Sequence, residues 1–282
     1  MWSLVNLLDA HDGVLARDEI IAWLSPPFLQ GGQTRPISGE PDGQALGAAT
    51  SLGLVRREAG NYRLEHTPAR SYPAFADEVH DRLTGVDASD PDFVVLEAFA
   101  FVASEIERRQ STAWLATSAQ EFADAVEHAI GGVEDGTNER RFNSTKIAPW
   151  RRWIMLLGLG VELPGAIGFY PYVAERLLRE LRRAGVPTGA ALPAAELLAV
   201  VAKRMPYLDG GALFLDLCRR TGLRLPARRL TRLLSVALRD LHDEGALVLG
   251  IRGDASDLFE LAPDGQHPVK TVQTITLAEG AR

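Results

Sequence analysis

Pro226-Ala227-Arg228-Arg229-Leu230-Thr231-Arg232-Leu233-Leu234-Ser235-Val236-Ala237-Leu238-Arg239-Asp240-Leu241-His242-Asp243 is the stretch on which the fold turns. Leu230, Leu233, Leu234, Ala237, Leu238 and Leu241 recur at the helical period, which predicts an amphipathic helix from Pro226 to Asp243. Pro226 suits a first helical position, and Glu244-Gly245 ends the run. Upstream, Pro193 to Lys203 reads as a helix with Leu197, Leu198, Val201 and Ala202 on one face. Gly211 to Arg220 reads as another, broken by Thr221-Gly222-Leu223-Arg224-Leu225. Downstream, Ala246 to Ile251 and Asp257 to Leu261 read as two strands joined by Arg252-Gly253-Asp254-Ala255-Ser256. Helix, turn, helix, hairpin is the order of a winged helix.

The amino end repeats that order. Helices are expected at residues 4–10, Val14 to Leu24 and Gly43 to Leu52, with Ser25-Pro26-Pro27 stopping the second and Asp42 capping the third. A Gly/Pro-rich stretch, Gly31 to Asp42, separates them. Leu54 to Glu58 and Tyr62 to Glu65 then form a hairpin around Gly60-Asn61. Three places share one local grammar, a glycine closing a helix just before a strand: Gly53 before Leu54-Val55, Gly158 before Leu159-Gly160-Val161, and Gly245 before Ala246-Leu247. A left-handed C-cap requires such a residue. After Gly158 the hairpin is expected to turn at Pro164-Gly165. Between the first two instances, Tyr72 to Leu83, Phe93 to Arg109 and Ser118 to Ile130 read as helices, the last opened by a Ser118/Glu121 capping box. Gly131 to Asn138 reads as a linker, and Arg176 to Ala184 as a basic helix.

The chain has 282 residues, 46% of them hydrophobic, with one cysteine and a net charge of −7. That is ordinary globular composition, sufficient for a core without disulfides. The opening Met-Trp-Ser-Leu-Val-Asn lacks a basic lead, and no apolar run reaches membrane-spanning length, so a cytoplasmic protein is expected. Residues 1–139 hold 9 basic and 23 acidic side chains, and residues 140–252 hold 19 and 9. A polyanion would be repelled by the first region and attracted to the second.

Chemistry is sparse. Cys218 and six scattered histidines offer no paired ligand spacing, so no metal and no cofactor are expected. Neither a Gly-x-Ser-x-Gly elbow nor a phosphate-binding Gly-x-x-x-x-Gly-Lys is present. Gly158-Leu159-Gly160 begins like a dinucleotide fingerprint, but Leu163 takes the third glycine position and a helix precedes it. Asp90-Pro91-Asp92 with Glu97 reads as a helix cap rather than a carboxylate pair. Cys218 reads as core packing, and no catalytic residue is assigned.

The arginines remain. Arg228, Arg232 and Arg239 fall on one stripe of the long helix, opposite the leucines. Arg219, Arg220, Arg224 and Arg229 surround the preceding turn, and Arg252 sits at the wing. In a helix-turn-helix, the recognition helix enters the major groove by its start while neighbouring arginines hold phosphates. A solvated arginine face explains the stripe equally well. A second group, Arg140, Arg141, Lys146, Arg151 and Arg152, is interleaved with Phe142, Trp150 and Trp153, whose helical spacing favours core over base stacking. The amino-terminal unit has no basic residue on its third helix, which favours a protein-facing role there.

Trp23-Leu24-Ser25-Pro26-Pro27, Ser51-Leu52-Gly53-Leu54-Val55, Phe142-Asn143-Ser144-Thr145-Lys146 and Trp153-Ile154-Met155-Leu156-Leu157-Gly158-Leu159 carry a family likeness over about the first 180 residues. They resemble DpdG-type proteins of bacterial gene clusters that place deazapurines in DNA and restrict foreign DNA. The resemblance implies an accessory component of an anti-phage system beside helicase or nuclease partners, and transfers no catalytic residue. The expected fold is mainly α with short β-hairpins: winged-helix-like units at 1–70 and 191–265, a helical middle at 71–190 with a hairpin near 160–170, and a tail at 266–282. The expected function is a non-enzymatic DNA-binding adaptor that contacts the phosphate backbone and other proteins of a defence operon. The alternative is a docking scaffold without nucleic-acid binding.

Overall fold

The computed structural model describes residues 1–25, 40–131, 140–163, 169–253 and 257–279, the side chains of 40–42 excepted. The stretch 26–39, the linker 132–139, the turn at Pro164-Gly165 and residues 254–256 lie outside them. The chain divides into two compact units, Met1–Gly85 and Val86–Arg282. It is mainly α-helical, with short antiparallel pairings among the described residues.

The first unit runs α1 (Trp2–Ala10), β1 (Val14–Ala16), α2 (Arg17–Leu24), α3 (Glu40–Ser51), β2 (Val55–Glu58), β3 (Asn61–Leu64) and α4 (Tyr72–Gly85). Leu4, Leu8, Ile20, Leu46, Leu54 and Phe75 form its core. The expected helix from Val14 is corrected, because residues 14–16 are a strand paired with β3 in the order β1-β3-β2. Asp12 and Gly13 take positive φ and swing the chain into the sheet, and α2 opens only where Glu19 accepts from the Ala16 N–H. Asp42 likewise falls inside α3 and not before its start. The β2–β3 hairpin forms, but its turn is Ala59-Gly60, both with positive φ as a two-residue primed turn demands. Asn61 instead pairs with Glu58.

The second unit is built around α5 (Val94–Arg109), whose residues 94–107 are all buried. A 3-10 turn at Pro91–Phe93 leads into it, and Asp90 accepts from the Asp92 N–H, the capping role expected for that acidic pair. There follow α6 (Ala119–Ile130), α7 (Ile147–Leu156), β4 (Gly160–Glu162), β5 (Phe169–Pro171), α8 (Ala174–Arg183), β6 (Ala191–Pro193), α9 (Ala194–Arg204), α10 (Ala212–Thr221) and α11 (Arg232–Asp243). Last come β7 (Leu247–Gly250), β8 (Phe259–Glu260), β9 (Thr271–Val272) and β10 (Thr274–Leu277). Helices α6, α7, α10 and α11 pack on α5. Trp150 is buried, its ring near those of Phe122, Phe142 and Phe169, and its indole N–H donates to Val95 O at 3.0 Å. Trp150 and Phe142 are therefore core, with no face left for a base.

The shared glycine grammar is real. Gly53, Gly158 and Gly245 have φ of +63°, +69° and +71°. At each, the glycine N–H and the next N–H bond back to the helix: Leu54 to Ala49 O, Leu159 to Ile154 O, and Ala246 to Leu241 O. These are left-handed C-caps that satisfy otherwise orphaned carbonyls. In the first unit, Arg82 of α4 adds its guanidinium to the carbonyls of Leu52 and Gly53.

Three expectations fail in the carboxyl-terminal part. Helix α11 starts at Arg232, not Pro226, because Arg228 has φ of +60° and Thr231 caps the helix through the Leu234 N–H. Residues before it bond to β8 instead, Leu230 N–H to Glu260 O and Glu260 N–H to Arg228 O. The strand at 247–250 does not pair with 259–260: β7 pairs with β10, and β8 with β9. Residues 271–277, read as tail, supply the centre of the β6-β10-β7 sheet and bury Val272, Ile275 and Leu277. Closing that core outweighs a local hairpin.

Candidate functional site

The eight arginines expected on a polyanion differ in burial and in partner. Arg239 is 3% exposed, and its guanidinium donates to Ala262 O and Val269 O at 2.9–3.1 Å. Burial lowers its pKa, yet three charge-assisted bonds tie α11 to the segment between β8 and β9. It is a core residue, which corrects its placement on a solvent stripe. Arg228 is in the loop before α11, paired with Asp257 at 2.8 Å where both side chains are more than half exposed. Arg252 is exposed, with its guanidinium on Ala191 O at 3.3 Å. Arg224 is exposed and has no side-chain partner among the described residues.

The remaining four are engaged from within. Arg219 pairs with Asp216 at 2.9 Å on the surface of α10. Arg220 also pairs with Asp216, and reaches Glu97 at 3.4 Å and Ile130 O at 3.2 Å. Arg141 reaches the same two acceptors, Glu97 at 2.5 Å and Ile130 O at 3.3 Å. Two guanidinium groups thus clamp one buried carboxylate and the last carbonyl of α6, where cations favour the helix dipole. Arg229 lies 3.7 Å from Glu107, and the Arg232 guanidinium donates to Gln110 Oε1 at 2.9 Å.

The start of α11 decides the geometry. Glu107 Oε2 accepts from the Arg232 N–H at 2.8 Å. Asp209 accepts from the Thr231 N–H and hydroxyl, each at 2.7 Å. Both acids are buried. Burial pushes the Asp209 carboxyl up to about 6, and the charge of Glu107 adds to the rise. A helix N-terminus attracts an anion because its N–H groups lack partners. Here two carboxylates of the same unit already occupy it. The N–H groups at the end expected to enter a major groove are therefore already met from within the unit. Cys218 is buried as its packing role required, its thiol pushed up to about 11 by burial and then by Asp209 and Glu107. That disfavours the thiolate a nucleophile needs.

Glu97, Glu105, Glu107 and Asp209 carried no assigned role in the sequence reading beyond the cap considered for Glu97. Their signal was acid within an apolar helix, since Val94 to Ile106 is otherwise almost wholly apolar and small. Buried charge requires partners. Glu105 has Arg108 and Arg109 at 2.5 and 2.8 Å, and its pKa is lowered despite burial.

No curated protein and no solved structure shows detectable similarity to this chain. The DpdG-like family matches residues 1–255, which takes in the amino-terminal unit, the α5 scaffold, the arginine clamp and α11. With the family likeness of the short motifs thus extended well past residue 180, the chain belongs to the DpdG-like family.

Proposed function

We propose that the chain is a non-catalytic docking component of a deazapurine DNA-modification system, its winged-helix-like segments serving as protein-binding surfaces. Family membership supports the setting. The observation that carries the docking role is the capped start of α11, where Glu107 and Asp209 take the positions a phosphate would need. Supporting it, Val248 and Ile251 at the β7 edge of the β6-β10-β7 sheet are 50% and 58% exposed, apolar surface where the wing was expected. The buried thiol of Cys218 supports a role without nucleophilic chemistry.

A second reading keeps DNA as partner through backbone contacts alone, favoured by four exposed guanidinium groups on Arg219, Arg224, Arg228 and Arg252. Co-purification with the proteins encoded beside this one separates the two. The docking role predicts partner retention that Val248→Asp with Ile251→Asp abolishes, while Arg224→Ala with Arg228→Ala leaves it unchanged. Absence of any retained partner, together with salt-dependent DNA binding lost in the arginine pair, overturns it in favour of the second reading.

A further inference from the structure

A cleft of about 240 Å³ opens in the second unit between the end of α5, β5 with the residues just after it, and the start of α11. Ile106 and Leu233 are buried at its lining, and Tyr170 and Tyr172 contribute two half-buried rings. Spaced by two along an extended segment, they lie on the same side of it. Burial, followed by the charges of Asp240 and Glu244, pushes the Tyr172 hydroxyl up to about 12, so it stays neutral.

Arg232 supplies the charge. Its side chain is half-buried, and the acceptor its guanidinium meets is a neutral amide, not a carboxylate. Nη2 is held by Gln110, which is itself fixed by donating to Glu107 O at 2.6 Å. Nε is buried and has no acceptor. A buried N–H with its donor unused is costly, and a charged acceptor relieves that cost. Glu107 meets the Arg232 backbone N–H through Oε2 and faces Arg229 through Oε1.

We propose that this cleft binds a small aromatic carboxylate, with its ring against Tyr170 and Tyr172 and its carboxylate on Arg232. The volume lies below the range for drug-sized ligands, which limits the occupant to about one ring. The inference is independent of the docking role, since it concerns a site apart from Val248 and Ile251.

Titration calorimetry with benzoate, and with benzyl alcohol as its neutral counterpart, tests it on the full chain. Benzoate is expected to bind, and benzyl alcohol at least about tenfold more weakly, as loss of a charge-assisted bond implies. Arg232→Gln keeps the backbone bond to Glu107 and is expected to weaken benzoate by a similar factor, with Arg224→Gln unchanged. Tyr170→Leu is expected to weaken both ligands together and serves if Arg232→Gln fails to fold. Equal binding of the two ligands, no benzoate binding at millimolar concentration, or unchanged affinity in a folded Arg232→Gln overturns the assignment.

Discussion

Residues 86–139 carry 2 basic and 12 acidic side chains, whereas residues 140–252 carry 19 and 9. Read along the chain, one region would repel a polyanion and the other attract it. In the fold they are partners. Glu97 of the acidic region takes Arg141 and Arg220 from the basic one, Glu107 takes Arg229 and the start of α11, and Asp124 takes Arg140. Glu127 accepts the backbone N–H groups of Arg141 and Phe142 at 3.1 and 2.7 Å. Charge segregated in sequence is here an instruction for docking the carboxyl-terminal helices onto α5, and only its remainder is available to a partner.

The largest test of that pairing is Glu97→Ala. It removes the buried carboxylate that Arg141 and Arg220 share, leaving Arg141 only the Ile130 carbonyl and Arg220 that carbonyl and Asp216, and removing one member of a buried pair costs about 4 kcal/mol. Urea unfolding monitored by tryptophan fluorescence should show that loss. A loss below about 1 kcal/mol would mean that the clamp is ornamental to stability.

Next comes Asp209. Its folded pKa of about 6 exceeds the ordinary 3.8, so the native state holds this proton more tightly than the unfolded chain. The sign follows: this group's contribution is most favourable below about pH 4 and declines as pH rises through 6, by about 3 kcal/mol in all. Asp209→Asn keeps an acceptor for the Thr231 N–H and should lack that slope. The difference between wild-type and variant stability, measured at pH 4.5 and 7.5, isolates it from carboxylates such as Glu105 whose slope runs the other way. Parallel pH profiles would remove Asp209 as the cause.

The smallest effect belongs to the surface. Arg219 pairs with Asp216 while 78% exposed, so Arg219→Ala should change stability by less than about 0.5 kcal/mol. The contrast with Glu97→Ala sharpens the comparison, because both break an arginine–carboxylate pair in the same helix neighbourhood. Similar losses from the two would show that burial does not set their worth.

Much of the local structure was legible. The Ser118/Glu121 box opens α6, and Gly53, Gly158 and Gly245 close their helices, because each signal acts within one or two turns. The reading erred where a local preference met a distant partner. Val14 to Ala16 suits a helix until β3 offers a ladder. Ala246 to Ile251 suits a hairpin with its neighbour until Thr274 to Leu277 covers the same core better. The β-prone run Thr271-Val272-Gln273-Thr274-Ile275-Thr276-Leu277 was visible as composition, but its place at the sheet centre was not. The candidate site fared likewise. An arginine's charge is evident from its codon, yet whether it meets water or a carboxylate depends on groups over a hundred residues away, as with Arg220 and Glu97.

By itself, the order of amino acids determined where most helices lie, their glycine ends, the family likeness and the division of charge, since periodicity, caps and composition are properties of neighbouring residues. Only the tertiary structure decided which strands pair, that α11 begins at Arg232 against Glu107 and Asp209, and that Arg239 is interior. Those outcomes rest on burial, which strengthens an ion pair or orphans a donor according to what the rest of the chain brings beside it.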